Sequence, residues 1–326
     1  MLQTLRDRFL DDGDPMPWRT VAVTCLAVMA PPIVAVLIFG RIGAVAFIAT
    51  LAAYLAAKDS GVLIGGLVTV VMGFAGLLTI GAPAMALMIA PTLGVMAGVA
   101  GYYGFALPAM RALITWTVFT GTIFPADDKP MMFGIFLVAM LWALGVSKLF
   151  GESGSHDPKE RDSEAYALVF GAMLAAGLAI SVWIGGHWFG DHGFWFPLTF
   201  VVLCVPPHGR VFGRTLKRTV GTLLGTIVAL GFAWLSDATW VMIALGAICL
   251  PLGFRVLPAN YTLFTALLTV SVLEVLALVS DVDTLAWERV ATMGAAAVMT
   301  AALAGVGLLG LWLIRPEAIK ALQTQD

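Results

Sequence analysis

Residues 187–225 read HWFGDHGFWFPLTFVVLCVPPHGRVFGRTLKRTVGTLLG. Different chemistries follow one another in that run. An aromatic, glycine-rich opening leads into a short apolar stretch, which breaks at Pro206-Pro207. The cations Arg210, Arg214, Lys217 and Arg218 come next. A helix follows with glycines four apart, Gly221 and Gly225. Prolines remove backbone donors and oppose continuation of a helix. Small residues at i, i+4 let two helices approach closely in lipid. An apolar crossing, a break, a positive rim and a second crossing make up the pattern of a membrane-spanning bundle.

The same pattern extends in both directions. Of the 326 residues, 60% are hydrophobic and only 12% charged, against about 25% charged in soluble domains. A bilayer-spanning helix needs about 20 apolar residues. Charges, prolines and glycines bound such runs at 20–39, 42–57, 60–80, 83–101, 105–123 and 131–150. In the second half they bound 165–186, 194–207, 218–236, 239–255, 257–279 and 284–314. The runs at 42–57 and 194–207 are short and either cross or re-enter; the last is long enough to tilt. The expected fold is an all-α membrane protein with about twelve transmembrane helices.

Charge gives the expected orientation. With the N-terminus inside, fifteen of the 18 Lys and Arg fall on the cytoplasmic side. Only Arg41, Lys129 and Arg289 fall outside, a strong positive-inside bias. One span more or fewer would swap the later loops and erase it, so both termini are expected in the cytoplasm. The first apolar run lacks a cleavage site, so no cleavable signal peptide is expected.

The polar stretch 151–164, GESGSHDPKERDSE, reads as a cytoplasmic linker between 1–150 and 165–326. The flanking halves carry matching signals. Lys58-x-x-Gly61-x-x-x-Gly65 opens the third run, and Arg218-x-x-Gly221-x-x-x-Gly225 opens the ninth. Lys129 with Gly134 is echoed by Arg289 with Gly294, and Leu107-Pro108-Ala109 by Leu257-Pro258-Ala259. Six runs per half make the repeats parallel, an arrangement common in transporters with a substrate site between the repeats. Gly61, Gly65, Gly221, Gly225 and Gly294 are the expected helix-packing positions.

Several polar residues are candidates for chemistry. Pro206 and Pro207 either line a pathway or end a helix at the interface. Arg214 and Arg218 could gather anions at a cytoplasmic mouth; the same cluster also serves topology and anionic headgroups. Thr222 either bonds a neighbouring helix or faces a substrate. Glu274, inside VSVLEVLAL, is a carboxyl in an apolar run and hence a functional candidate, suited to carrying a proton; it could also lie near the outer interface. Asn260 and Tyr261 either bind a carboxylate or ring, or cap a helix. Asp59 either pairs with a cation of the cytoplasmic mouth or faces solvent.

Other classes are excluded. Cys25, Cys204 and Cys249 lie in apolar runs with no CxxC spacing, and His187 and His192, five apart on a loop, make no zinc pattern. No nucleotide-binding or hydrolase motif occurs in a usable context. No metal, cofactor or enzymatic activity is expected, and no basic tract points to nucleic acid.

FWFPLTFVVLCVPP followed by RTLKRTVGTLLGTIVAL resembles the fusaric acid resistance (FUSC) family of inner-membrane proteins. The resemblance rests on Trp195, Thr199, Pro206, Arg218, Gly221, Thr222 and Gly225. Asn260-Tyr261 with Thr269, and Arg289-x-x-Thr292-x-Gly294-Ala295 with Arg315-Pro316, extend it over about 165–318. It implies a bacterial inner-membrane exporter of aromatic or other small organic acids, with a periplasmic membrane-fusion adaptor as a partner. The substrate path would pass Asp59, Trp195, Thr199, Arg214, Arg218, Thr222, Asn260 and Tyr261, with Glu274 carrying the proton. The chain lacks the large soluble cytoplasmic domain of longer members. An organic-anion channel and a non-transporting envelope scaffold stand as alternatives, and the small-residue motifs also permit a homo-oligomer.

Overall fold

The structure is a computed structural model that describes residues 13–122, 124–126, 128–155, 157, 161–206, 211–236, 238–277 and 281–314. All the elements described are helical. In chain order they are α1 (Trp18–Phe39), α2 (Val45–Thr79), α3 (Pro83–Tyr102), α4 (Ala106–Val118), α5 (Lys129–Leu149) and α6 (Glu164–Trp188). Then come α7 (Trp195–Leu203), α8 (Val211–Leu235), α9 (Thr239–Val256), α10 (Tyr261–Leu276) and α11 (Val282–Ile314). Of the expected residues, Pro207, His208, Arg210 and Arg315-Pro316 lie outside the described residues.

Seven helical stretches among the described residues are long and apolar enough to cross a membrane. The first, Trp18–Thr79, has 62 residues. A straight helix of that length would reach about 90 Å, three times the hydrocarbon core of a bilayer. Two glycines fold it. Gly40 (φ 62°) follows α1, and Gly61 (φ 78°) breaks α2 beside Ser60. Both φ values lie where residues with a Cβ are disfavoured. Gly61 therefore serves the backbone break, beside the packing role expected of it. The two arms of α2 then pack on each other so closely that a Cβ on Gly65 would lie 2.6 Å from the Ala57 nitrogen.

Two expected spans shorten. The run 105–123 yields a helix over Ala106–Val118, about 20 Å long, and 194–207 yields Trp195–Leu203, about 14 Å. Turn bonds take over beyond each end: Thr120 N donates to Thr117 O, and Cys204 N to Phe200 O.

Proline costs in α1 are offset by a side chain. Pro32 cannot donate to Val28 O, four residues back. Thr50 Oγ1 donates to that carbonyl at 2.9 Å, satisfying an acceptor that would otherwise be orphaned.

The chain forms two compact units. One is drawn from Met1–Thr24 and Arg210–Ala297, the other from Cys25–Gly209 and Val298–Asp326. In the first, α8 packs along α10, and α10 along α9. In the second, α3 packs on α6, and α2 packs on both α4 and α5. Trp116, Phe200, Leu174 and Met110 are buried at its core.

Candidate functional site

Helix α8 carries a polar stripe. Arg218, Thr222 and Thr226 recur every four residues, so they share one face, and all are buried, at 3%, 0% and 4% exposure. The neighbouring face is made of glycine. A Cβ on Gly221 would lie 2.5 Å from Thr262 O, and one on Gly225 would lie 2.4 Å from Ala266 O. Glycine at both positions brings the α8 and α10 backbones together. That close approach holds the α8 stripe against α10.

Helix α10 answers with Thr262, Thr265 and Thr269, all buried. Asn260 caps it: its Oδ1 accepts from Leu263 N at 2.9 Å. That cap fixes the neighbouring Tyr261, whose hydroxyl accepts a hydrogen bond from Arg218 Nη1 at 3.2 Å. Helix α11 contributes Arg289, 5% exposed, within electrostatic reach of Arg218. Two guanidinium groups are thus buried near one another inside an apolar bundle. Burying a charge costs several kcal/mol unless it is compensated. Arg218 bonds to a neutral phenol, and its Nε has no acceptor among the described residues. The hydroxyls of Thr222, Thr226 and Thr262 likewise lack partners among the described residues. Two cations with idle hydroxyls suit a small anion.

Glu274 lies farther along α10, about 20 Å from Tyr261 by helical rise. It is buried at 2% exposure, within electrostatic reach of Cys249, and its Oε1 has no partner among the described residues. In the same stretch Ser271 Oγ donates to Gly246 O at 2.9 Å. Glu274 does not touch the arginine cluster directly.

The remaining sequence candidates fall elsewhere. Arg214 is half-buried on α8, one turn before Arg218. In the other unit Asp59 pairs with Arg111, and Lys58 with Glu152 at 3.6 Å. Trp195 is buried and stacks on His192 at 5.0 Å. Thr199 is fully buried one turn later, its hydroxyl without a partner among the described residues. Pro206 is half-buried past the end of α7. Gly294 is exposed, and a Cβ there would meet no atom of the described residues within 4 Å. A cavity of about 460 Å³ in this second unit, lined by Val99, Tyr102, Tyr103, Glu164 and Leu168, is mainly apolar and holds no buried cation.

Sequence reasoning did not name Arg289, which the charge count assigned to the outer side, or Thr226 as site residues. Their signals were the i, i+3 pair Arg289–Thr292 and the i, i+4 series from Arg218 along α8. Arg111, which entered only in the count of cytoplasmic-side cations, is the partner of Asp59.

Residues 174–304 match the family model described as fusaric acid resistance protein-like. No curated protein matches the chain. No solved structure matches it either. The match takes in α7 to α10 whole and most of α6 and α11, including every residue of the arginine cluster, so this part of the chain is similar to the fusaric acid resistance protein-like family.

Proposed function

We propose that the protein is a secondary exporter of small organic acids, aromatic carboxylates among them, that binds the acid's anion between Arg218 and Arg289. The observation that carries this reading is the pair of buried guanidinium groups on α8 and α11. Tyr261 orients Arg218, and Thr222 and Thr262 offer hydroxyls to the anion. Arg214, one turn before Arg218 on α8, gathers anions at the mouth of the site. Glu274 carries the coupling proton. Its distance from Tyr261 means that proton and anion do not compete for one group; coupling runs through movement of α10. The chain acts in a bacterial inner membrane as two parallel six-helix repeats, 1–150 and 165–326, with both termini in the cytoplasm and a periplasmic adaptor as partner. The short α4, α7 and α10 complete twelve spans.

Uptake into inverted vesicles, with and without an imposed pH gradient, tests the reading. Labelled benzoates and aliphatic acids should accumulate in a gradient-dependent way. Glu274→Gln should abolish accumulation and leave downhill flux, and Arg218→Met should abolish both. The separation of Glu274 from the arginines favours one second reading, an organic-anion channel. A channel would dissipate substrate gradients equally in wild type and Glu274→Gln. Absence of flux with any acid would sink both readings and leave an envelope scaffold.

A further inference from the structure

The cavity of about 460 Å³ between α3 and α6 belongs to the other compact unit and has chemistry opposite to that of the arginine cluster. Its lining changes along its length. Val95, Val99, Leu168 and Ala172 give it an apolar wall. All four are exposed on helices long and apolar enough to cross a membrane, so that wall faces lipid tails. Tyr102, Tyr103 and Glu164 line the end nearest the linker. Apolar helix gives way to polar chain there, the level at which headgroups meet water.

The helices are pinned together at both ends of the cavity. At one end a Cβ on Gly94 would lie 2.4 Å from the Ala175 nitrogen. At the other, Asp162 N donates to Gly101 O at 3.2 Å. Ser163 then caps α6, its Oγ accepting from Tyr166 N at 3.3 Å, which sets Glu164 at the first position of the helix. The rim is therefore held by the backbone. Tyr102 and Tyr103 stand edge to face with ring centroids 5.2 Å apart. Glu164 has no ion-pair partner among the described residues, and the exposed Arg161, three residues earlier, does not pair with it. No cation lines the cavity. A belt of interfacial aromatics accounts for the rings. It does not account for an acid beside them, which anionic headgroups would repel. Aromatic faces attract ammonium groups, and a carboxylate accepts their N–H bonds.

We propose that this cavity binds a phospholipid with a primary-ammonium headgroup, of the phosphatidylethanolamine kind. The ammonium donates to the Glu164 carboxylate and lies against Tyr102 and Tyr103. An acyl chain lies along Val95, Val99 and Leu168. A quaternary headgroup keeps the positive charge but has no N–H to donate, and an anionic headgroup meets Glu164 with like charge. The expected order of affinity is phosphatidylethanolamine, then phosphatidylcholine, then phosphatidylglycerol. The site is separate from the anion route and stands whether or not the protein transports.

Native mass spectrometry of the full chain in detergent, titrated with these three lipids bearing identical acyl chains, tests the proposal. Phosphatidylethanolamine should fill one saturable site several-fold more tightly than phosphatidylcholine. Glu164→Gln removes the charged acceptor, so affinity for phosphatidylethanolamine should fall on the order of tenfold and its preference over phosphatidylcholine should vanish. Asp157→Asn makes the same change of net charge in the exposed linker and should leave the preference intact. Ala172→Phe fills the apolar part of the cavity and should remove the saturable site with Glu164 still present, which keeps the test decisive if Glu164→Gln does not fold. Phosphatidylcholine or phosphatidylglycerol binding as tightly as phosphatidylethanolamine overturns the proposal. So does a preference that survives Glu164→Gln, a site that survives Ala172→Phe, or a preference lost equally in Asp157→Asn.

Discussion

Gly221 and Gly225 offer a sharp quantitative test, since a single methyl group decides it. Alanine at Gly221 would put Cβ 2.5 Å from Thr262 O, and alanine at Gly225 would put it 2.4 Å from Ala266 O. Ordinary contact distances begin near 3.5 Å, so α8 and α10 must separate by about 1 Å. The obstacles are backbone carbonyls, which cannot rotate away as a side chain can. A gap of that size forfeits a quarter to a half of each dispersion contact along the interface, and overpacking of this kind costs about 1–3 kcal/mol. Helix propensity works the other way, favouring alanine over glycine by up to about 1 kcal/mol. The balance predicts net destabilisation at both positions. Gly231 and Gly294 are controls, because a Cβ on either meets no atom of the described residues within 4 Å; alanine there should be neutral or mildly stabilising. Thermal unfolding of the four single variants in one detergent measures the difference. Gly225→Ala at least as stable as Gly294→Ala would refute the claim that glycine sets the α8–α10 distance. The separation should also pull Tyr261 from Arg218, so Gly221→Ala should weaken benzoate binding as well as stability.

Three further outcomes are expected. Thr50→Val keeps the side-chain shape but leaves Val28 O without its donor, and should cost about 1–3 kcal/mol, read by thermal unfolding. Asn260→Ala removes the α10 cap and should cost about 0.5–2 kcal/mol, while Asn260→Asp retains the acceptor and should recover most of it; equal losses in the two variants would contradict a capping role. Asp281 accepts from the Thr284 backbone and hydroxyl, bonds that hold its carboxyl below the usual range. A depressed folded-state pKa gives stability that is present above the unfolded value, about 3.9, and lost as pH falls through the folded one. The stability gap between wild type and Asp281→Asn should therefore be constant from pH 5 to 8 and close below about pH 4.

The sequence alone determined the class of the molecule and the positions of its helices. Apolar runs bounded by glycine, proline and charge are local signals, and a helix inside lipid must satisfy its backbone within itself. The close contact of Gly221 and Gly225 was legible for that reason, and the cap at Asn260 was one of the two readings its position offered; Gly61 was read for packing, and its positive φ is visible only in the structure. Each depends on one residue or on spacing along one helix. The partners of the charges were a different matter. Arg111 and Arg289 were assigned only to a side of the membrane, because a positive-inside count says nothing of what a cation meets. Whether such a cation points into the bundle depends on where another helix, distant in sequence, happens to pass. Tertiary structure alone joined Arg111 to Asp59 across 52 positions and brought Arg289 near Arg218 across 71. It also put Glu274 at the far end of α10 from Tyr261, about 20 Å away by helical rise.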